Sequence, residues 1–134
     1  MYIGYCDGGS RNNTHAACAW IITNEDNEIL YSNSLYLANR SNNDAEYFSI
    51  IFLMSSALAG KVTELKVIQD SELVSRQMNG QYQVKAPNLK PLYMMAQDLA
   101  RKFDRIEFTW APREHPMISI CDMNCDLCIE HYKN

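Results

Sequence analysis

The hydrophobic pattern of this chain changes its period near residue 41. Before that point, three short runs over residues 2–6, 16–23 and 29–37 have the pattern of strands, and short polar segments separate them. Residues 16–23 are apolar almost throughout, as expected of a strand buried on both faces, whereas residues 29–37 alternate as a half-buried strand does. The three runs therefore predict an antiparallel meander.

The rest of the chain alternates helices with strands. Residues 45–59 contain neither Pro nor Gly and are apolar on nearly every side, which predicts a deeply buried helix that ends at Gly60. The period of the later runs and their flanking Gly and Pro residues predict a strand at 64–69, helices at 71–79 and 89–103, a strand at 105–111 and a helix at 117–132. The order βββαβααβα indicates a single α/β domain over residues 1–134 with a mixed sheet.

The composition narrows the classes of protein to which the chain can belong. Its 134 residues, of which 47% are hydrophobic, can bury enough surface for one core and too little for two domains. A formal net charge of −4 argues against a strongly basic nucleic-acid binder, although bound cations could neutralise that charge. No apolar run approaches the roughly 18 residues of a membrane span, and residues 1–8 lack the pattern of a signal peptide. A cytoplasmic location without membrane association is therefore expected.

Five cysteines are present, and three of them crowd together as Cys121, Cys125 and Cys128. The odd number and the missing secretory signal predict reduced thiols. The three lie at positions i, i+4 and i+7, which places them on one face of the last helix and predicts an apolar stripe packed on the sheet. A zinc site that includes His131 is the alternative, but helical spacing does not present four tetrahedral ligands.

Four carboxylates stand at the ends or edges of apolar elements. Asp7 ends the first strand, where Asp7-Gly8-Gly9 signals a turn, and Asp70 ends the strand at 64–69. Glu46 lies one turn into the buried helix, and Asp122 lies within the last helix. Four buried carboxylates without partners would repel one another and take up protons. Two Mg²⁺ or Mn²⁺ ions would remove that repulsion, and such a pair stabilises the attacking and leaving oxygens in phosphodiester cleavage.

These carboxylates stand in motifs that resemble those of type 1 ribonuclease H (ribonuclease HI). The motifs are Asp7-Gly8-Gly9-Ser10, Asn42-Asn43-x-x-Glu46, Asp70-Ser71 and His115-Pro116-x-x-x-x-Cys121-Asp122. The resemblance covers essentially the whole chain and includes the order of its elements. It implies the ribonuclease H-like fold, a five-stranded mixed sheet of three antiparallel strands and then two parallel ones, flanked by helices. Residues 73–92 resemble the short prokaryotic and plant-like branch, which lacks the basic protrusion of longer members.

The resemblance also implies an activity, which is hydrolysis of the RNA strand of RNA–DNA hybrids with two Mg²⁺ or Mn²⁺ ions. Asp7, Glu46, Asp70 and Asp122 match the family's catalytic, metal-binding carboxylates. The residues that match substrate contacts are Gly9, Ser10, Asn12, Asn42, Asn43 and Ser71. Double-stranded RNA stays open as a second substrate, and no obligate protein partner is expected.

Several assignments stay open at this point. Asp126 competes with Asp122 for the place of the fourth carboxylate, although the match around His115 favours Asp122. The family's mobile histidine has no clean counterpart, and Glu114 and His115 are the candidates to replace it. Scattered cations could touch phosphates without making the domain basic; they are Arg11, Arg40, Arg76, Lys85, Lys90 and Arg113.

Two other classes of function fit the same fold. One is a non-catalytic nucleic-acid-binding module, whose signature would be the loss of a carboxylate, and none of the four is missing. The other is a different nuclease of this fold, such as a resolvase or an exonuclease. Asn42, Asn43 and Ser71 favour hybrid cleavage over the activity of such a different nuclease.

Overall fold

The computed structural model describes residues 1–132. Its elements, in chain order, are β1 (Tyr2–Arg11), β2 (His15–Thr23), β3 (Ile29–Ala38), α1 (Asn42–Ala59), β4 (Glu64–Gln69), α2 (Glu72–Met78), α3 (Lys90–Ala100), β5 (Arg105–Trp110) and α4 (Pro116–Tyr132). The predicted order of strands and helices is confirmed. Gly60 caps the C-terminal end of α1, also as predicted.

The five strands form one mixed sheet in the order β3-β2-β1-β4-β5. The pairs β1–β2 and β2–β3 are antiparallel, whereas β1–β4 and β4–β5 are parallel. This confirms the predicted sheet. Because β1 and β4 are parallel neighbours, side chains towards the C-terminal ends of both strands lie near the same edge of the sheet.

Helices cover both faces of the sheet. On one face, α1 and α3 enclose a core in which Tyr47 and Leu53 of α1 pack with Val67 of β4. On the other face, α4 packs through Cys121 and its neighbours on β1 and β2. The predicted stripe of cysteines is confirmed, because all three thiols are free and buried in this second core. Within residues 1–132, none of the helices has the length and apolar composition needed to cross a membrane.

The prediction that β1 ends at Asp7 is wrong. The strand continues through Gly8 and Gly9 to Arg11, because its ladder with β2 is uninterrupted from Ile3 to Arg11. The turn lies instead at Asn12 and Asn13, whose φ angles are 55° and 57°. Asn residues tolerate this left-handed region better than most side chains. Asp7 therefore lies inside a strand and not in a turn.

The alternation of β3 also predicts more burial than the structure shows. Ile29, Tyr31 and Leu35 are exposed, while Leu37 packs against the core that α1 covers. The reason is the position of β3 at the edge of the sheet, where it has a neighbouring strand, β2, on one side only. An edge strand can keep the alternation of a half-buried strand without having its apolar face covered.

Candidate active site

Three carboxylates from three different elements meet at one edge of the sheet. Asp7 comes from β1, Glu46 from α1, and Asp70 follows β4 directly. Each offers an oxygen atom, and these atoms all lie within 4.8 Å of one another. We refer to these three residues as the carboxylate cluster. Asp7 and Glu46 are only 4% and 8% exposed, so the cluster is largely withdrawn from water.

The local sequence explains why α1 brings Glu46 to this place. Ser41 caps the helix, because its side chain accepts from the Asp44 N–H while the Asp44 side chain accepts from the Ser41 N–H. This capping box fixes where α1 begins. The helix then crosses β1 at Gly8, where the missing side chain lets the two main chains approach closely.

The electrostatics of the carboxylate cluster favour a bound cation. Burial is the main cause that raises the pKa of Asp7, and the negative charges of Glu46 and Asp70 raise it further. Burial and the charge of Asp70 likewise raise the pKa of Glu46. All donor atoms are hard oxygens, which suit divalent Mg²⁺ or Mn²⁺ better than softer metals. The chemistry of these side chains therefore fits a divalent metal site.

Two neutral groups donate to the Glu46 carboxylate. The Gly8 N–H lies 3.4 Å from Oε1, and the Gln69 side-chain nitrogen Nε2 lies 3.3 Å from Oε2. Sequence reasoning missed both residues in this role. The available signal was Gln69 itself, since it occupies a position of β4 where the alternation of buried residues calls for an apolar side chain.

A polar cavity opens from the carboxylate cluster to the surface. We call it the acidic cavity. It is lined by Asp7, Gly8, Gly9, Asn42, Asn43, Glu46, Asp70, Ser71, Arg113 and Asp122. Asp122 thus shares a cavity with the cluster, and its charge contributes to the raised pKa of Asp7. Asp126 does not line this cavity; it is exposed and lies 3.3 Å from the Arg11 guanidinium.

The residues predicted to contact substrate fall into three groups. Gly9, Asn42, Asn43 and Ser71 line the acidic cavity. Ser10 supports it, because its N–H donates to Asn42 Oδ1 at 2.6 Å. Asn12 lies apart, in the turn after β1.

Ser71 also has a local structural role. Its hydroxyl caps α2 by accepting from the Val74 N–H at 3.2 Å. The short distance in sequence between Asp70 and this cap ties the position of the Asp70 carboxylate to the start of α2.

Of the loop residues before α4, Arg113 approaches the carboxylate cluster. Its Nε lies 3.7 Å from Asp70 Oδ2, and its side chain is 74% exposed. His115 instead packs on the Tyr5 ring, and its Nδ1 accepts from the Met117 N–H at the start of α4. Neither His115 nor Glu114 is among the residues that line the acidic cavity.

Most of the other cations are engaged by neighbouring side chains. Arg11 pairs with Glu130 and Asp126, and Arg76 pairs with Glu72. The Arg40 guanidinium lies over the Phe48 ring. Arg113, by contrast, lines the acidic cavity, and it is the one Lys or Arg among the residues that do so.

Comparison with known proteins gives consistent relatives. A family model described as reverse transcriptase-like matches residues 5–118. The bifunctional protein Rv2228c of Mycobacterium tuberculosis is 39% identical over 111 residues, which are 80% of this chain and 30% of that protein. Ribonuclease HI of Halobacterium salinarum is 30% identical over 110 residues, which are 81% of this chain and 55% of that protein. The chain therefore matches about half, or less, of the length of these curated relatives.

Solved structures agree with this over the whole fold. The N-terminal RNase H domain of Rv2228c, solved as a fusion with maltose binding protein, superposes with a TM-score of 0.92 at 32% identity, covering 97% of this chain and 94% of that one. LC11-RNase H1, solved in complex with an RNA/DNA hybrid, has a TM-score of 0.92 at 30% identity and covers 100% of both chains. The chain therefore belongs to the reverse transcriptase-like family and, with these relatives, to the type 1 ribonucleases H.

Proposed function

We propose that this chain is a metal-dependent endoribonuclease that hydrolyses the RNA strand of RNA–DNA hybrids. The observation that carries the proposal is the carboxylate cluster, in which oxygens of Asp7, Glu46 and Asp70 lie within 4.8 Å of one another in a cavity open to the surface. The similarity to enzymes named ribonuclease H, one of them solved with a hybrid, supports this choice of substrate.

The metal requirement is part of the proposal. Asp7, Glu46, Asp70 and Asp122 would hold two Mg²⁺ or Mn²⁺ ions, whose positive charges together would offset the formal net charge of −4. When bound, such ions stabilise negative charge on the attacking and leaving oxygens of a phosphodiester. The chain supplies fixed ligands for them, because burial, Gly8 and Gln69 hold the Glu46 carboxylate in place.

Substrate contacts follow from the groups around the acidic cavity. The Ser10 N–H donates to Asn42 Oδ1, which orients the Asn42 side chain so that its amide nitrogen can donate to an acceptor on the nucleic acid. Beside it, a Cβ on Gly9 would meet no atom within 4 Å, so a sugar-phosphate backbone can approach the main chain there. Asn43 and Ser71 line the same cavity. We assign Asn12 a contact with a more distant part of the duplex, because it lies beyond these residues at the turn.

Arg113 is the cation that we expect to contact a phosphate in the acidic cavity. Its side chain is mostly exposed and lies close to Asp70, so it can reach a phosphate bound near the carboxylate cluster. Arg76 and Arg11 are already paired with acidic side chains. A phosphate would therefore have to compete for those two guanidinium groups.

The test is a side-by-side cleavage assay with labelled RNA–DNA hybrid, double-stranded RNA and double-stranded DNA, each in Mg²⁺, Mn²⁺ and EDTA. We expect metal-dependent cleavage at internal positions of the RNA strand in the hybrid, and none in EDTA. Cleavage of DNA as fast as of hybrid would instead indicate a different nuclease of this fold. Binding without cleavage would indicate a non-catalytic module.

A further inference from the structure

Gln69 places an amide where the fold otherwise buries hydrocarbon. Leu65, Val67 and Gln69 are the buried residues of the alternating strand β4, and each is 0% exposed. Leu65 and Val67 belong to the core that α1 covers. An amide in such a place is unfavourable unless its polar atoms are bonded, so its partners indicate what it is for.

The partners of Gln69 join the carboxylate cluster to α2. Its Nε2 donates to Glu46 Oε2 at 3.3 Å, and its Oε1 lies 3.3 Å from the Ser75 hydroxyl, which can donate to it. Ser75 is also buried, and its hydroxyl lies 3.2 Å from the Thr109 carbonyl of β5. One end of the Gln69 amide is thus held by α2, and the other end holds Glu46.

The backbone of Gln69 is fixed as well. Its carbonyl accepts from the Ala111 N–H at 2.8 Å, directly after β5, and the next residue in the chain is Asp70. One residue therefore sets the place of two members of the carboxylate cluster. It carries Asp70 through the main chain and orients Glu46 through its amide.

We propose that Gln69 is a positioning residue whose amide orients the Glu46 carboxylate so that Glu46 and Asp70 present oxygens to the same divalent cation. This inference rests on the proposed function only in taking the carboxylate cluster as a metal site. Residues that hydrogen-bond to metal ligands commonly change metal affinity or activity by about 10–100-fold when they are removed.

The chain offers a matched control in Gln77. It is buried to a similar degree, at 4% exposed, but its Oε1 accepts from the Tyr47 hydroxyl at 2.7 Å, and Tyr47 is not a member of the carboxylate cluster. Gln77→Met therefore removes a buried amide of the same type without removing a donor to the carboxylate cluster. Both variants replace a buried amide by a thioether, but only Gln69→Met removes a hydrogen bond to the carboxylate cluster.

The experiment is calorimetric titration of each variant with Mn²⁺ in the absence of nucleic acid. We expect Gln69→Met to weaken Mn²⁺ binding by about 10-fold or more, and Gln77→Met to bind like the wild type. In cleavage assays, Gln69→Met should need correspondingly more metal, while its KM for hybrid at saturating Mn²⁺ stays unchanged. Equal Mn²⁺ affinities of the two variants, or a raised KM without a change in metal affinity, would overturn the proposal.

A third variant decides the matter if Gln69→Met does not fold. Ser75→Ala keeps the Gln69 amide but removes the group that holds it from behind. We then expect weaker Mn²⁺ binding in the same direction and by a smaller factor. Affinity equal to the wild type in Ser75→Ala would in that case overturn the proposal.

The same measurements separate this inference from the proposed function. A wild-type protein that binds Mn²⁺ but leaves hybrid uncut would refute the nuclease activity, while the comparison of Gln69→Met with Gln77→Met would still test the role of Gln69. Conversely, a nuclease whose two variants bind Mn²⁺ equally well would keep its function and lose the inference. Absence of Mn²⁺ binding in the wild type would overturn both.

Discussion

A Cβ atom on Gly8 would lie 2.2 Å from the carbonyl oxygen of Ala45. Gly8 follows Asp7 on β1, and Ala45 precedes Glu46 on α1, so this contact between two main chains also fixes the separation of two members of the carboxylate cluster. The closeness of the helix to the strand and the geometry of the site are therefore one feature. Any side chain at position 8 must move α1 away from β1.

Gly8→Ala is expected to lower stability and to abolish cleavage together. Forcing extra atoms into a packed contact usually costs about 1–3 kcal/mol, and the displaced helix carries Glu46 with it. Gly9→Ala is the control for stability, because a Cβ there would meet no atom within 4 Å. Chemical denaturation of both variants checks this, and a Gly8→Ala protein as stable as Gly9→Ala would contradict the close contact.

Asp7→Asn is expected to lose cleavage and to gain stability in the absence of metal. Asp7 is buried beside Glu46 and Asp70, so without a cation its carboxyl must either take up a proton on folding or keep a charge that burial and these neighbours disfavour, and an amide avoids both costs. Because changes in groups that only support a metal ligand cost about 10–100-fold, loss of a ligand itself should cost more than about 100-fold in turnover. Turnover and melting temperature in EDTA are the measurements. Turnover like that of the wild type would remove Asp7 from the active site.

Asp122 and Asp126 are expected to differ sharply in saturating Mn²⁺. Asp122→Asn should lose most of the activity, since Asp122 lines the acidic cavity and acts on Asp7 through its charge. Asp126→Asn should keep activity, because Asp126 is exposed and pairs with Arg11, a type of contact worth about 0–1 kcal/mol. If Asp126→Asn were the less active of the two variants, the fourth carboxylate would be Asp126, one turn further along α4.

The order of the elements could be predicted because local signals set it. The change of hydrophobic period, the absence of Pro and Gly in residues 45–59 and the stop at Gly60 all act within a few residues. The place of Asp7 could not be predicted in the same way. Asp7-Gly8-Gly9 looks like a turn by itself, and only the ladder with β2 and the crossing of α1 make it part of a strand.

The site divides along the same line. The four carboxylates stand out in the sequence because charged residues interrupt apolar elements. The hydrogen bond from Gln69 to Glu46 cannot be seen in the sequence, because Glu46 is 23 positions away and belongs to another element. The alternating pattern of β3 overestimates its burial for a related reason. The pattern of a strand does not show whether the strand lies in the centre or at the edge of the sheet.

Binding of hybrid is expected to depend strongly on divalent metal. The net charge is −4, and two of the arginines that could meet phosphates, Arg11 and Arg76, are already paired with acidic side chains. Without metal, Arg113 is the one cation among the residues that line the acidic cavity. Filter binding of hybrid to Asp7→Asn and wild type, at constant ionic strength with and without Mg²⁺, measures this. Tight binding by the wild type in EDTA would show that side chains alone neutralise the phosphates.

The stability of the metal-free protein is expected to fall as the pH rises. Burial and neighbouring charges raise the pKa of Asp7 and Glu46 above the value of about 4 that carboxyl groups have in an unfolded chain. Above that pH the folded state therefore holds more protons than the unfolded state, so the free energy of unfolding decreases with rising pH until the raised pKa values are passed. Melting temperatures in EDTA between pH 5 and pH 9 test this in the wild type.

The Asp7→Asn variant isolates the contribution of the carboxylate cluster from that of other titrating groups. It removes the Asp7 proton from the balance and lowers the repulsion on Glu46, so its stability should fall less over the same range. The difference in melting temperature between Asp7→Asn and wild type should thus grow with pH in EDTA. Saturating Mg²⁺ should reduce the fall in the wild type, because a cation stabilises the ionised carboxylates. A difference that stays constant from pH 5 to pH 9 would show that Asp7 is ionised in the folded protein throughout this range.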